Sequence, residues 1–227
     1  MPSKTKSTAA SADAANPRMY TDMKGSKEQK GNVHGHIVRM ADATPAGTSF
    51  KWDIYVFGAE ADADKANVNL SSLTDANDMS APDGLVFSPA SGICWIQTDD
   101  GAYTDVTNCM MVAALPGQVG DGDTVTVSGT GVTTYRGKLP TADTLKRFLV
   151  GVPGCEITGL CESPDGRALF VNIQHPGEAT AQADIADPTK YQSHWPGNIG
   201  YGAGGNLARP RSATIVITKN DGGRIGS

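Results

Sequence analysis

The sequence is short of aromatic residues (6%), of charge (19%) and of long apolar runs. Charged residues usually make up about 25% of a globular chain, so this one lacks the Glu, Lys and Arg on which helical bundles draw. Its apolar runs, of which 110–115 is typical, fall far short of the ~20 residues that a spanning helix needs, which excludes a membrane protein. Nineteen Lys and Arg stand against 24 Asp and Glu, a net charge of -5, so there is no basic footprint for nucleic acid. There is no secretory signal either. Residues 1–15 carry lysines but none of the apolar core, about 7–15 residues long, that a signal requires. Either the product stays inside or the true amino terminus lies upstream of Met1. The four cysteines, Cys94, Cys109, Cys155 and Cys161, form no C-x-x-C pair and no regular spacing, which excludes a zinc ribbon and a disulfide framework. Cys94 and Cys161 sit among apolar residues and read as small buried hydrophobes. No G-x-S-x-G, phosphate-binding P-loop or H-E-x-x-H motif is present.

What the chain does have is turn chemistry. It holds 27 glycines and 13 prolines, below the roughly 25–30% of low-complexity chains but enough for many tight turns. Residues 1–32 are polar and without period, and read as an irregular or disordered leader. Strand signals follow from residue 33 onward. Residues 50–57 alternate, with Phe50, Trp52, Ile54 and Val56 on one face and Lys51, Asp53 and Tyr55 on the other. Ten further strands are expected at 36–40, 85–87, 93–97, 110–114, 124–128, 132–135, 146–150, 157–161, 169–172 and 213–219. Two polar connections, 60–82 and 174–209, exceed ordinary loop length. No segment holds a 3.6-residue period over ten positions. The expected fold class is all-β.

An internal echo narrows the architecture. Gly84-Leu85-Val86-Phe87-Ser88-Pro89 through Trp95-Ile96-Gln97 lines up with Gly159-Leu160-Cys161-Glu162-Ser163-Pro164 through Phe170-Val171-Asn172. Each copy reads as strand, Ser-Pro turn with a closing glycine, and strand with a large aromatic. Repeated hairpins of this kind form the inner strands of β-propeller blades. Eleven strands at about four per blade make fewer than three blades, so the expectation is a partial β-propeller of short antiparallel blades with long loops. Its open edge strands invite another chain to complete the propeller.

Two acidic residues stand out by position. Asp83 precedes the inner strand of the first copy, and Glu156 that of the second. Carboxylates at the starts of successive inner strands converge on one channel mouth, where their repulsion is relieved by a cation such as Ca²⁺. Read alone, each is an ordinary turn or surface acid, and only the repeat raises the metal reading. Glu60-x-Asp62-x-Asp64 resembles an EF-hand start, but lacks its glycine and its bidentate Glu, and reads as a solvated loop. Gly200-x-Gly202-x-x-Gly205 has neither the strand nor the helix of a dinucleotide site. His175 leaves the second inner strand for a long loop, so it faces the channel mouth, though a lone histidine is more often structural.

Three groups of motifs together resemble the carboxy-terminal part of the PhoX-type alkaline phosphatase family. The first is Ala15-Asn16-Pro17-Arg18 with Gly35-His36-Ile37-Val38-Arg39 and Phe50-Lys51-Trp52-Asp53-Ile54. The second is Pro82-Asp83-Gly84-Leu85 with Cys94-Trp95-Ile96-Gln97-Thr98-Asp99. The third runs from Arg147-Phe148-Leu149-Val150-Gly151 through Cys155-Glu156-Ile157-Thr158-Gly159 to Asn172-Ile173-Gln174-His175-Pro176-Gly177-Glu178, then Trp195-Pro196 and Arg209-Pro210-Arg211. The resemblance implies a six-bladed propeller that hydrolyses phosphate monoesters, a phosphorylated small-molecule substrate, calcium and iron as cofactors, and a periplasmic or secreted location. It implies metal ligation by Asp83 and Glu156. Arg18 and His175 fall in family-like motifs facing the same region, without an assigned role. The blades are expected over 33–227, as a carboxy-terminal fragment with little or no phosphatase activity of its own. Two other readings remain: a regucalcin-like calcium-binding or lactonase propeller, and a non-catalytic scaffold.

Overall fold

Among the described residues, 11–24, 26–101, 103–104, 106–200 and 204–227 of this computed structural model, thirteen strands carry the chain. They are β1 (Tyr20–Lys24), β2 (Lys27–Gly31), β3 (His36–Asp42), β4 (Phe50–Phe57), β5 (Pro82–Phe87), β6 (Cys94–Thr98) and β7 (Met110–Ala114). Then follow β8 (Asp123–Thr126), β9 (Thr133–Arg136), β10 (Leu145–Val150), β11 (Glu156–Glu162), β12 (Ala168–Gln174) and β13 (Ala213–Thr218). Helix is limited to single 3-10 turns, and no described helix is long and apolar enough to cross a membrane. Every strand expected from sequence coincides with one of β3 to β13. Residues 1–10 of the leader and Gly202 of the glycine motif lie outside the described residues.

The chain divides into two units. One comprises Met1–Pro82, Gly101–Asp105 and Ala114–Arg147; the other comprises Asp83–Asp100, Val106–Ala113 and Phe148–Ser227. In the first unit, a four-stranded sheet runs in the order β3-β4-β9-β8. β3 and β4 are antiparallel, while β4 and β9 pair in parallel where Ile54 meets Arg136. A bulge sets Ile37 opposite Val56 and Val38 opposite Ile54, leaving Tyr55 as the extra residue. The single buried face expected for β4 is therefore not what forms. Phe50 and Lys51 are exposed, and from Asp53 to Phe57 both faces are buried. Ile54, Phe57, Leu70 and Val127 make the core there. Asp53 tolerates burial because Arg39 grips it with two bonds, Nε to Oδ1 at 2.8 Å and Nη2 to Oδ2 at 2.7 Å.

The stretch expected to be an irregular leader also differs. β1 and β2 pair as an antiparallel hairpin from Tyr20 opposite Gly31 to Lys24 opposite Lys27. The hairpin buries only Gly31 and Tyr20, the latter against Val33 and Val68, so its remaining residues show no apolar alternation from which a strand is legible.

The second unit holds the echoed hairpins. Its strands belong to sheets of the orders β10-β7-β6-β5, of which β10 enters this unit only from Phe148, and β11-β12-β13, over a core that includes Trp95, Met111, Ile157, Leu169, Val171 and Ile173. The Ser-Pro turns are built alike. Ser88 N donates to Ile93 O at 2.8 Å, Ser163 N donates to Ala168 O at 2.9 Å, and Gly92 and Gly166 close the turns at φ 74° and 70°. The echo extends into the strands. A Cβ on Gly84 would stand 2.7 Å from the Gln97 side-chain oxygen, and one on Gly159 would collide with the Asn172 amide. Glycine is repeated because an amide side chain crosses it in both copies. All four cysteines are free; Cys94 is buried, but Cys161 is exposed, because the end of β11 alternates toward solvent.

Candidate functional site

A hairpin brings the start of its first strand and the end of its second to one end. β5 opens on Pro82 and Asp83, and Asp99 directly follows β6. β11 opens on Glu156, which pairs with Gln174 at the end of β12, and His175 comes next. Each copy thus places two titratable side chains at the end opposite its Ser-Pro turn, and β11 lies beside β6.

Glu156 is the most enclosed of these groups, its side chain 12% exposed and its Oε2 3.4 Å from His175 Nε2. Burial pushes its carboxyl upward, the negative charges of Asp99 and Asp83 push it further, and the contact with His175 pulls it back. Asp83 and Asp99 are exposed, and their charges act on the enclosed Glu156 carboxyl. Asp99 completes a set of three carboxylates that sequence reasoning did not single out. Its signal was available: it ends the Cys94 to Asp99 motif at the same level of the hairpin as His175.

The turn after β12 holds His175 in place. Its backbone takes φ 36°, and its N–H donates to Ser212 Oγ at 2.9 Å. Its Nδ1 lies 3.3 Å from the Gly154 carbonyl and 3.4 Å from Glu178 Oε2. Burial alone would lower the imidazole's affinity for a proton. The Gly154 carbonyl, Glu178 and Glu156 outweigh it and raise that affinity above the ordinary value. Gly177 N locks the turn by donating to Pro153 O at 2.9 Å. Ser212 also lines a cavity of about 310 Å³ with Thr158, Asn172, Gln174 and Thr214, next to the histidine backbone.

Other expected residues take structural places. Arg18 is wholly buried in the first unit, and its guanidinium bonds the carbonyls of Gly58 (2.8 Å), Val68 (2.6 Å) and Gly35 and the Asn32 side chain. Asp62 and Asp64 are exposed, and Asp64 caps its own turn by accepting from Ala66 N at 2.9 Å. His36 is fixed between Ala15 O and Asn32 Nδ2, and His194 by Ala208 O.

Comparison with known proteins gives the family. The model of the family "Alkaline phosphatase PhoX" matches residues 4–177. The chain belongs to the PhoX family. The match spans both echoed hairpins and ends at Gly177, inside the turn that holds His175. Among solved structures, the chain is similar to Pseudomonas fluorescens PhoX in complex with vanadate, a transition state analogue. The identity is 30% and the TM-score 0.61, over 88% of this chain and 28% of that one. The chain thus spans less than a third of that protein's length. No curated protein matches it in sequence. With the sheets described above, the PhoX match makes the fold all-β and a partial β-propeller.

Proposed function

We propose that the chain is the part of a PhoX-type phosphate-monoester hydrolase that supplies Asp83, Asp99 and Glu156 to a metal centre facing a phosphorylated substrate. The observation that carries this reading is the buried Glu156 carboxyl, set against two further carboxylates at the matching ends of two echoed hairpins. Like charges so placed oppose one another, and a cation between them removes the opposition. The three carboxylates fit calcium, which takes carboxylate oxygens, and iron is proposed on the family resemblance. Bound there, the metal would polarise phosphoryl oxygens and gather the charge that develops on them. His175 sets its Nε2 3.4 Å from Glu156 and orients that carboxylate, while Glu178 and the Gly154 carbonyl lie against its other nitrogen. The PhoX match supports this reading over a regucalcin-like propeller, and the vanadate held by the related enzyme supports a phosphoester substrate. Export across the cytoplasmic membrane is proposed on the family resemblance.

Calcium titration of the 227-residue chain tests the centre. Wild type is expected to bind Ca²⁺, with Asp83→Asn and Glu156→Gln each weakening it at least about 10-fold. Unchanged affinity in both variants overturns the shared site. Turnover of p-nitrophenyl phosphate by this chain alone is expected to be slow or undetectable even with calcium and iron supplied, and robust turnover would show that its own residues suffice.

A further inference from the structure

A second group of ligand-type side chains lies in the first unit, apart from the residues proposed above. Asp22 of β1, His34 just before β3 and Glu60 just after β4 each offer one ligand atom, and these atoms lie within 4.8 Å of one another. His34 Nε2 is 3.8 Å from Asp22 Oδ1. On a zinc ion, with bonds near 2.1 Å, tetrahedral ligands stand about 3.4 Å apart, so a closure of roughly an ångström assembles the site.

The histidine is built into position. It is 1% exposed, its ring stacks on Tyr20 at 5.7 Å and 19°, and its N–H donates to the Tyr20 hydroxyl at 2.7 Å. Its Nδ1 is 2.9 Å from Ser80 Oγ, which leaves Nε2 directed at Asp22. Metal-binding imidazoles are fixed in this way, with the second nitrogen held by a neighbour that sets the tautomer. The three side chains open on a cavity of about 430 Å³, also lined by Tyr20, Asp64 and Asn67. That leaves room for water or a small ligand at an open coordination position.

We propose that Asp22, His34 and Glu60 form a binding site for a divalent transition-metal ion, Zn²⁺ or one of similar ligand preference. The imidazole decides the class. Calcium and magnesium favour all-oxygen shells, whereas one nitrogen with two carboxylates suits zinc. The ion would tie the β1–β2 hairpin to the segments on either side of the β3–β4 pair, three places that no short motif links.

The test uses the whole chain, freed of metal and titrated with Zn²⁺ by calorimetry, with Co²⁺ as a visible-absorption reporter. Wild type is expected to bind one Zn²⁺ that depends on these three residues and to gain thermal stability from it. Glu60→Gln is expected to weaken Zn²⁺ at least 10-fold, and Ser80→Ala about 10-fold through the tautomer. His34→Gln should remove the site, with circular dichroism of the metal-free protein checking its fold; half-buried Glu60 supplies a gentler variant. Asp83→Asn and Glu156→Gln should leave this Zn²⁺ affinity within twofold. Unchanged Zn²⁺ binding in His34→Gln and Glu60→Gln overturns the proposal. So does a loss confined to Asp83→Asn or Glu156→Gln, which would assign the ion to the other centre.

Discussion

Arg18 shows how much of this protein rests on single side chains. A wholly buried guanidinium with no carboxylate beside it is costly to desolvate, and burial does lower its affinity for a proton. What retains it is the set of four acceptors from segments far apart in sequence, with the faces of Tyr20 and Phe57 5.4 and 4.9 Å away. Arg18→Met removes the donor from these acceptors, of which only Gly35 O keeps a backbone bond, from Gly58 N at 3.0 Å, and costs about 1–3 kcal/mol for each acceptor left unpaired that water cannot reach. A loss of about 3 kcal/mol or more is expected from urea denaturation, and Arg18→Lys should recover little because an ammonium has no fork. Asp121 carries the opposite kind of effect. Its hydrogen bond from Arg39 holds its carboxyl at about 2, against an ordinary 3.8. The folded value lies below the unfolded one, so this pairing stabilises fully above about pH 3.8 and is lost as pH falls toward about 2. The stability difference between wild type and Asp121→Asn should therefore be largest near neutrality and shrink through that window. A difference that stays flat would show that the pairing does not carry it.

At the scale of elements, the echoed hairpins explain why these glycines recur. Gly84 lies under Gln97, which is 2% exposed and has little room to move. Gly84→Ala is expected to cost about 1–3 kcal/mol by overpacking, and adding Gln97→Ala should recover part of it. Gly159 lies under the exposed Asn172, which can turn aside, so the cost of Gly159→Ala comes instead from its φ of 44°. A second substitution at Asn172 should therefore rescue little. Thermal midpoints of the two double variants separate these causes. β3 to β13 were legible because their apolar alternation and turn residues are local signals. β1 and β2 were not, since a polar two-stranded ladder has no period and is identified only by its pairing. The bulge at Tyr55 was equally hidden, because one extra residue changes register without changing composition.

For the whole molecule, the two candidate centres divide along the same line. Asp83 and Glu156 were legible because a repeat marked equivalent positions, and strand direction then predicts where their side chains gather. His175 was singled out as well, by its place after the second inner strand, whereas Asp99 was passed over although it ends the matching motif, and only the structure showed that Glu156 contacts the His175 ring. The Asp22, His34 and Glu60 group had no sequence signal at all. Its members are separated by 12 and 26 positions, and Glu60 had been set aside with a defective EF-hand pattern. By itself, then, the sequence determined the all-β class, the strand periods, the repeated hairpin and the PhoX resemblance, all of which are written in neighbouring residues. Only the tertiary structure decided which polar groups share a site. Which carboxylates meet an imidazole depends on register, bulges and the ends of strands, and these are settled by packing among segments far apart along the chain.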